Sequence, residues 1–339
     1  MDDSSTVMTD TVLVTGATGS IGSAVVHRLC ETGATVRVLV RRPTSLFQRT
    51  SQVEFVYGDI CNADEVKAAV SGCTRVVHMA ALLHIPNPPE SMYPLFWQAN
   101  VEGTRNVVAA AEVSLVERLV FISTFAVYGS NGKAVVDETY RPVPDSIYGQ
   151  TKLAAEKIAL EPRLASGEAL ATVLRLTSVY GERVTGNYRR LLVSLQQNRF
   201  VPNGNCCNRR TLVYDADVAS AVVLALQHPV AAGKIYNVTD GSIHTLRDIV
   251  VSICEAMDRS VPRLAVPAEF ARMGASMAEG IFSLVGMQPP ITRAAVDKYL
   301  EDAAVDGSLI QRELGYKPQF DLQTGWRAAI HRMRETGML

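Results

Sequence analysis

The amino-acid sequence predicts a doubly wound α/β fold, in which helices cover both faces of a parallel sheet, joined to a smaller α/β C-terminal lobe. Two observations support this prediction. Short apolar runs without polar alternation recur up to residue 176, as is typical of strands buried on both faces. Segments with helical periodicity separate these runs, and such alternation indicates parallel strands joined by crossover helices.

The predicted elements follow one another in a regular order. Strands are predicted at 11–15, 35–40, 53–57, 75–79, 118–123 and 171–176, and helices at 21–31, 63–70, 97–112 and 148–160. Right-handed crossovers bring the carboxyl ends of parallel strands to one edge of the sheet, where ligands bind. Beyond residue 176 the pattern becomes irregular, so 177–335 is predicted to form the smaller lobe, with about 212–240 returning to the first domain.

Composition and charge exclude several classes of protein. The chain has 339 residues, of which 47% are hydrophobic and 20% charged, and its formal net charge is -1. With basic residues scattered, no nucleic acid is expected as a partner. The polar N-terminus and the lack of a long apolar run predict a cytoplasmic protein without a membrane partner. The six cysteines lack paired CxxC spacing, so no metal site is expected.

A glycine-rich turn follows the first predicted strand. Gly16 permits a tight turn, Gly19 lets backbone approach a pyrophosphate, and Gly22 admits close packing of the next helix. The helix N-terminus adds positive potential for phosphate. The turn therefore predicts a dinucleotide-binding Rossmann domain over 11–176, and its other predicted cofactor contacts are Thr18, Ser20 and Ile21.

Residues after the next strands bear on the identity of the dinucleotide. Arg41 and Arg42 stand where NAD usually meets a carboxylate, which favours NADP, although two solvated arginines would leave NAD open. Asp59, followed by Ile60, is predicted to accept from the adenine amino group. Small residues end the fourth strand and allow backbone to pass close to a flat ligand, namely Met79, Ala80 and Ala81; His78 before them is interpreted as a core histidine.

Three side chains are predicted to carry the chemistry. Tyr148 and Lys152 share one helix face, and the ammonium with a positively charged nicotinamide ring is expected to lower the phenol pKa towards a useful range. Thr124 is predicted to hydrogen-bond the reacting oxygen, with Ser123 beside the nicotinamide. A surface Tyr–Lys pair and a threonine satisfied by backbone remain the alternatives.

Together these motifs resemble the extended short-chain dehydrogenase/reductase (NAD-dependent epimerase/dehydratase) family, in its nucleotide-sugar epimerase and reductase branch. The resemblance continues through the Asn100 stretch, Arg175 with residues 179–181, residues 210–219 and residues 236–238. It implies cofactor contacts at Asn100, Leu176 and Val179, and substrate contacts at Ser178, Asn187 and Arg210. It also implies a homodimer through helices 97–112 and 148–160.

The resemblance leaves three functions open. Phe125 and Ala126 replace the Asp-Glu pair of the family's 4,6-dehydratases, which argues against dehydration and leaves a nucleotide-sugar 4-epimerase or 4-ketoreductase. Ser178, where that branch often has asparagine, departs from the pattern. An NADPH-dependent ketoreductase of a steroid-like or flavonoid-like alcohol is the alternative, based on Arg41 with Arg42 and the apolar stretch 270–287. A non-catalytic dinucleotide sensor would not need Tyr148.

Overall fold

The computed structural model of this chain describes residues 10–262 and 301–339 except 84, 86, 87, 131 and 203, together with 269, 273, 276, 277 and 279. The apolar stretch 270–287, on which the apolar-alcohol alternative is partly based, lies almost entirely outside the described residues. Among the described residues, no helix is both long enough and apolar enough to cross a membrane.

A seven-stranded parallel sheet forms the centre of the molecule. Its strands are β1 (Thr11–Thr15), β2 (Thr35–Val40), β3 (Val53–Tyr57), β4 (Arg75–His78), β5 (Arg118–Thr124), β7 (Ala171–Leu176) and β11 (Ile235–Val238). They lie in the order β11-β7-β5-β4-β1-β2-β3, and every neighbouring pair is parallel. The strand order reverses between β1 and β4, so a ligand crevice is expected there.

Helices cover both faces of this sheet, which confirms the predicted fold class. On one face α1 (Gly22–Glu31) packs beside α7 (Asp215–Gln227), and their apolar residues join one core cluster. On the other face lie α2 (Ala63–Val70), α4 (Gly103–Val113) and α5 (Ile147–Leu160), which contribute to a second cluster. Burial on both sides explains the uninterrupted apolar runs of the strands.

The helix predicted at 97–112 differs from the observed one. The observed helix begins earlier, as α3 (Tyr93–Trp97), passes through a π-helical turn at Gln98–Glu102, and continues as α4. Such a turn inserts extra backbone into a helix and often marks a functional position. Asn100 lies within it and is 1% exposed.

Much of the remaining chain forms smaller units around a third apolar cluster. Three short sheets pair β8 (Ser178–Tyr180) with β10 (Leu212–Tyr214), β9 (Arg209–Arg210) with β12 (His244–Thr245), and β6 (Val135–Val136) with β13 (Ala304–Val305). The helices are α6 (Gly186–Gln196), α8 (Leu246–Ala256), α9 (Ser308–Leu314) and α10 (Leu322–Glu335). Of the chain beyond residue 176, β11 is the edge strand of the large sheet, α7 packs on a face of that sheet, and α9 packs against β11. The division of the chain into domains at residue 176 stays a prediction.

Candidate active site

The glycine-rich turn lies against the end of β4. Gly16 has a φ of +75°, and a Cβ added to it would come within 2.6 Å of the Ala80 nitrogen and 2.8 Å of the Met79 carbonyl carbon. A Cβ on Gly22 would lie 2.0 Å from the Ala17 carbonyl oxygen. Only glycine therefore lets the turn, the strand end and α1 approach so closely.

The start of α1 is suited to an anionic ligand. Its N-cap, Ile21, makes no side-chain capping bond, and the first turn contains no acidic residue. Thr18 and Gly19, just before it, are exposed, and Ser20 is half-buried. Amides at a helix N-terminus attract phosphate. These features fit the pyrophosphate of a dinucleotide.

Side chains after β2 and β3 form the next part of the crevice. Arg41 and Arg42 are exposed, and the charge of Arg41 acts on the nearby thiol of Cys61. Asp59 Oδ1 accepts a hydrogen bond of 2.9 Å from the Cys61 amide. Ile60 is buried against α4, since a Cβ on Gly103 would lie 2.7 Å from its Cδ1. Arg41, Cys61 and Asp59 are thus brought together, while Ile60 anchors the loop.

His78 is a core residue, as the sequence indicated. Its Nδ1 lies 2.7 Å from Thr15 Oγ1 and its Nε2 lies 3.0 Å from Thr104 Oγ1. Burial lowers the pKa of His78 to about 3, and the charge of Lys152 adds to this effect. The imidazole is therefore neutral and holds β1, β4 and α4 together. Ala81, after β4, is half-buried.

Asn100 connects three parts of the site through its side-chain amide. Its Oδ1 accepts from the Leu82 amide at 2.7 Å, and its Nδ2 donates to the Leu82 carbonyl at 3.1 Å and to Thr151 Oγ1 at 3.0 Å. These bonds brace the loop after β4 against α5, and the cofactor contact of Asn100 stays a prediction. Thr151 immediately precedes Lys152.

Tyr148 lies in the first turn of α5 and is bonded to Thr124. Ser146 caps this helix, its side chain accepting from the Gly149 amide at 3.2 Å. Burial raises the pKa of Tyr148 to about 12, and the hydrogen bond with the Thr124 hydroxyl opposes this shift. The lowered pKa expected from the sequence is not what the protein alone gives, because burial outweighs the favourable contacts. The structure does bring the phenol and the Thr124 hydroxyl together.

Lys152 is almost completely buried, at 2% exposure. Its Nζ lies 3.9 Å from the centroid of the Phe121 ring. Burial lowers the pKa of Lys152 to about 7, while the charge of Glu156, one turn further along α5, raises it. The lysine is therefore no surface residue, and its charge depends on groups inside the protein.

The hydroxyl of Ser123 points away from its predicted position beside the nicotinamide. It donates a short hydrogen bond to Glu156 Oε1, and Ser123 is only 3% exposed. Ser123 thus faces the middle of α5, whereas Thr124, the last residue of β5, meets Tyr148 in the first turn of the same helix.

The predicted substrate residues lie on separate elements beyond β7. Leu176 pairs with Thr124 in the sheet, and Ser178 follows two residues later. Tyr188, in α6, hydrogen-bonds the Ser178 side chain and is within range of the Arg210 charge; burial nevertheless raises its pKa to about 12. Ser178, Tyr188 and Arg210 are therefore brought together. Asn187 is exposed in the first turn of α6, and Val179 pairs with Val213.

Sequence reasoning missed several polar residues here. Glu156, Tyr188 and the His244–Asp240 pair received no role. His244 lies opposite Arg210 in the β9–β12 pairing, and its Nε2 is 2.6 Å from Asp240 Oδ2. Only the spacing of Glu156, four residues after Lys152, was a usable signal, because it places both side chains on one helix face.

The fold and site are those of a dinucleotide-dependent enzyme, with a helix N-terminus suited to phosphate and a tyrosine–lysine–threonine group at the strand ends. Comparison with known proteins agrees, since the model of the NAD dependent epimerase/dehydratase family matches residues 12–239. The chain belongs to this family and is an enzyme.

Its similar proteins differ in substrate. The N-acetyl-alpha-D-glucosaminyl-diphospho-ditrans,octacis-undecaprenol 4-epimerase of Escherichia coli O157:H7 is 26% identical over 322 residues, or 94% of this chain and 93% of that protein. The 3 beta-hydroxysteroid dehydrogenase/Delta 5-->4-isomerase of Mycobacterium tuberculosis (strain CDC 1551 / Oshkosh) is 27% identical over 334 residues, or 95% and 90%. The solved structure of MoeE5 in complex with UDP-glucose and NAD is 25% identical with a TM-score of 0.74, covering 96% of this chain and 99% of that one.

Proposed function

We propose that this enzyme is an NAD(P)-dependent 4-epimerase or 4-ketoreductase of a nucleotide sugar. The observation that carries the proposal is the cluster of Ser178, Tyr188 and Arg210. Ser178 in this cluster follows the strand end at Leu176 by two residues. A guanidinium matches the oxygens of a diphosphate, and two hydroxyls beside it suit a polar ligand. UDP-glucose bound to MoeE5 supports the same substrate class.

In this proposal Tyr148, Thr124 and Lys152 act at the C4 and O4 atoms of the sugar. A bound nicotinamide would supply hydride exchange at C4. Tyr148 gives a proton to O4 or takes one from it. Thr124, which is hydrogen-bonded to the same phenol, also hydrogen-bonds O4 and so fixes its position. Lys152 contributes positive charge, which favours the phenolate.

The dinucleotide is proposed to be NADP or NAD. Arg41 and Arg42 support NADP because both are exposed at the end of β2, whereas the NAD bound to MoeE5 supports NAD. Mass spectrometry of the dinucleotide released by denaturing the purified protein tests this. Near-stoichiometric NAD would support an epimerase that regenerates its own cofactor, and would contradict the role given to the arginines. An empty protein that prefers NADPH would support a reductase.

The substrate class is tested with Arg210→Ala and Arg209→Ala. Arg209 is the matched control because its Nε bonds Asp302 Oδ2 at 2.9 Å. Wild type and both variants are assayed with UDP-, dTDP- and GDP-sugars by NMR and by thermal shift. We expect Arg210→Ala to raise KM at least about tenfold, because the variant loses one charged hydrogen bond to the substrate. Arg209→Ala should leave KM unchanged. No turnover and no thermal shift with any sugar would refute the proposal.

A ketoreductase or dehydrogenase of an apolar alcohol is the second candidate. The similarity to a mycobacterial 3 beta-hydroxysteroid dehydrogenase favours it. Because such an alcohol carries no diphosphate, Arg210→Ala would leave its affinity unchanged. A steroid and a flavonoid are therefore assayed beside the sugars, with the same variants.

A homodimer through the helical segment 97–112, which ends in α4, and α5 is also proposed. A groove between this segment and α5 is lined by Trp97, Val101, Leu153, Ala154 and Ile158, together with polar residues. Trp97 is 37% exposed, and nearby Leu95 is 54% exposed. Aromatic residues at a protein surface are typical of interfaces.

A further inference from the structure

A buried ion pair lies behind the candidate catalytic residues. Arg175, in β7, donates from Nη2 to Glu156 Oε2 at 2.7 Å and from Nε to Glu156 Oε1 at 3.0 Å. The two side chains are only 3% and 2% exposed. Burying two charges is costly, and apolar residues of similar volume often serve stability as well. Stability alone therefore does not explain why this buried ion pair is present.

Further groups hold this pair in place. Ser123 donates to Glu156 Oε1, so the carboxylate is bonded from both β5 and β7. The Tyr128 ring lies 4.8 Å from the Arg175 guanidinium, and its hydroxyl donates to Asn237 Oδ1 at 2.8 Å. The carboxylate of Glu156 is thus fixed from several directions.

The fixed carboxylate lies one helical turn from Lys152. Residues four apart share a helix face, and Lys152 contacts Phe121 while Glu156 contacts Ser123, two residues further along β5. Since alternate strand residues point to the same side, both α5 side chains face the same stretch of β5.

We propose that Glu156, held by Arg175 and Ser123, is a positioning residue that supplies the counter-charge for the buried ammonium of Lys152. It favours the charged form of Lys152 and holds the side chain in place below Tyr148. The inference rests on the proposed function in one respect, which is that Tyr148 transfers the proton in the reaction and Lys152 supports it.

The other charged or titratable groups around Lys152 do not replace Glu156. His78, in β4, is neutral at ordinary pH, and its pKa is lowered to about 3 first by burial and then by Lys152. Tyr148 remains a neutral phenol at ordinary pH, with its pKa raised to about 12. Arg175 carries a charge of the same sign as the ammonium. Glu156 is the group that raises the pKa of Lys152 against the effect of burial.

The test measures the pKa of Lys152 by NMR in protein labelled with ¹³Cε-lysine, with Lys152→Met assigning the signal. In Glu156→Gln we expect a fall of about one unit or more, because an opposite charge within a few ångströms shifts a pKa by that much. Glu156→Asp keeps the charge and should largely restore the pKa. Glu313→Gln is the matched control, since this carboxylate pairs with Lys234 at 2.6 Å on another part of the sheet. An unchanged Lys152 pKa in folded Glu156→Gln would overturn the proposal.

Activity provides an independent readout. For Glu156→Gln, the pH profile of kcat should move to lower pH with the Lys152 pKa, whereas a purely structural role would lower the melting temperature without moving the profile. If Glu156→Gln does not fold, the double variant Glu156→Leu with Arg175→Met removes both buried charges. A smaller fall in the Lys152 pKa is then expected, because losing the like charge of Arg175 partly offsets losing the opposite charge of Glu156, and an unchanged pKa would overturn the proposal. If no nucleotide sugar reacts, the proposed function fails while the NMR titration still decides on Glu156.

Discussion

At the scale of single residues, burial acts in opposite directions on the two central side chains. It raises the pKa of Tyr148 to about 12 and lowers that of Lys152 to about 7. A phenol with such a pKa is protonated at neutral pH and is ready to donate to a carbonyl oxygen. Accepting a proton in the reverse direction requires a nearby positive charge to stabilise the phenolate. A charged Lys152 would favour this reverse direction.

Tyr148→Phe should reduce kcat by about 10²- to 10⁴-fold, the usual contribution of a positioned acid or base. The phenol is the group that exchanges the proton, and the ring is kept. Affinity for the dinucleotide should stay the same, because the glycine-rich turn and α1 are untouched. Stopped-flow absorbance of the nicotinamide measures hydride transfer, and calorimetry measures binding. A variant with wild-type turnover would exclude Tyr148 as the acid or base.

Lys152→Met should stabilise the protein at neutral pH, and this advantage should shrink as pH rises. The pKa of Lys152 is about 7 in the folded protein and 10.5 ordinarily. Between these values the unfolded chain binds the proton and the folded one does not, so wild-type stability rises with pH through this window. The difference between variant and wild type should fall by about 1 kcal/mol per pH unit from about pH 7.5 to 9.5.

Urea denaturation at a series of pH values measures this difference. Lys157→Met, on the exposed side of the same helix, is the matched control. If the stability difference between Lys152→Met and wild type stayed constant with pH, Lys152 would have the same pKa in the folded and the unfolded protein, and the prediction would be wrong.

At the scale of elements, the glycine-rich turn was predictable in detail and the polar interior was not. Gly16, Gly19 and Gly22 carry backbone requirements that can be recognised from spacing alone. The bond from Ser123 to Glu156 depends on how β5 faces α5 across 33 positions of sequence. Local patterns determine which face a side chain occupies, but not which partner it meets there.

Gly16→Ala should destabilise the protein more than Gly72→Ala. Both glycines have a positive φ, +75° and +74°, which costs an alanine about 1 to 2 kcal/mol. A Cβ on Gly72 has no atom within 4 Å, whereas on Gly16 it meets the backbone of Ala80 at 2.6 Å. Because backbone cannot move aside easily, Gly16→Ala should lose about 1 kcal/mol or more beyond the control.

Denaturant unfolding measures both glycine variants, and dinucleotide affinity should fall only in Gly16→Ala. Equal losses of stability in Gly16→Ala and Gly72→Ala would show that the glycine-rich turn can shift to accommodate the added methyl group.

At the scale of the whole molecule, the large sheet was predictable and the small sheets were not. Apolar runs and short connections indicated the six strands up to residue 176. Val135 pairs with Ala304, and Arg210 with His244, in strands of only two residues. Such short strands have no periodicity to recognise, and their partners lie far along the chain. The cluster of Ser178, Tyr188 and Arg210 is built in this region. Ser178 and Arg210 were predicted from the resemblance, whereas Tyr188 and the geometry of the cluster were not.

The proposed dimer makes a prediction at this scale. A stable interface buries about 800 Å² per partner, and a charge placed in its apolar centre opposes association. Trp97→Arg should therefore convert a dimer into a monomer in analytical ultracentrifugation. Leu115→Arg is the matched control, because Leu115 is 84% exposed and lies outside the groove between segment 97–112 and α5. A dimer that survives Trp97→Arg, or dissociates in Leu115→Arg, would place the interface elsewhere, because a charge disrupts association only where it is buried.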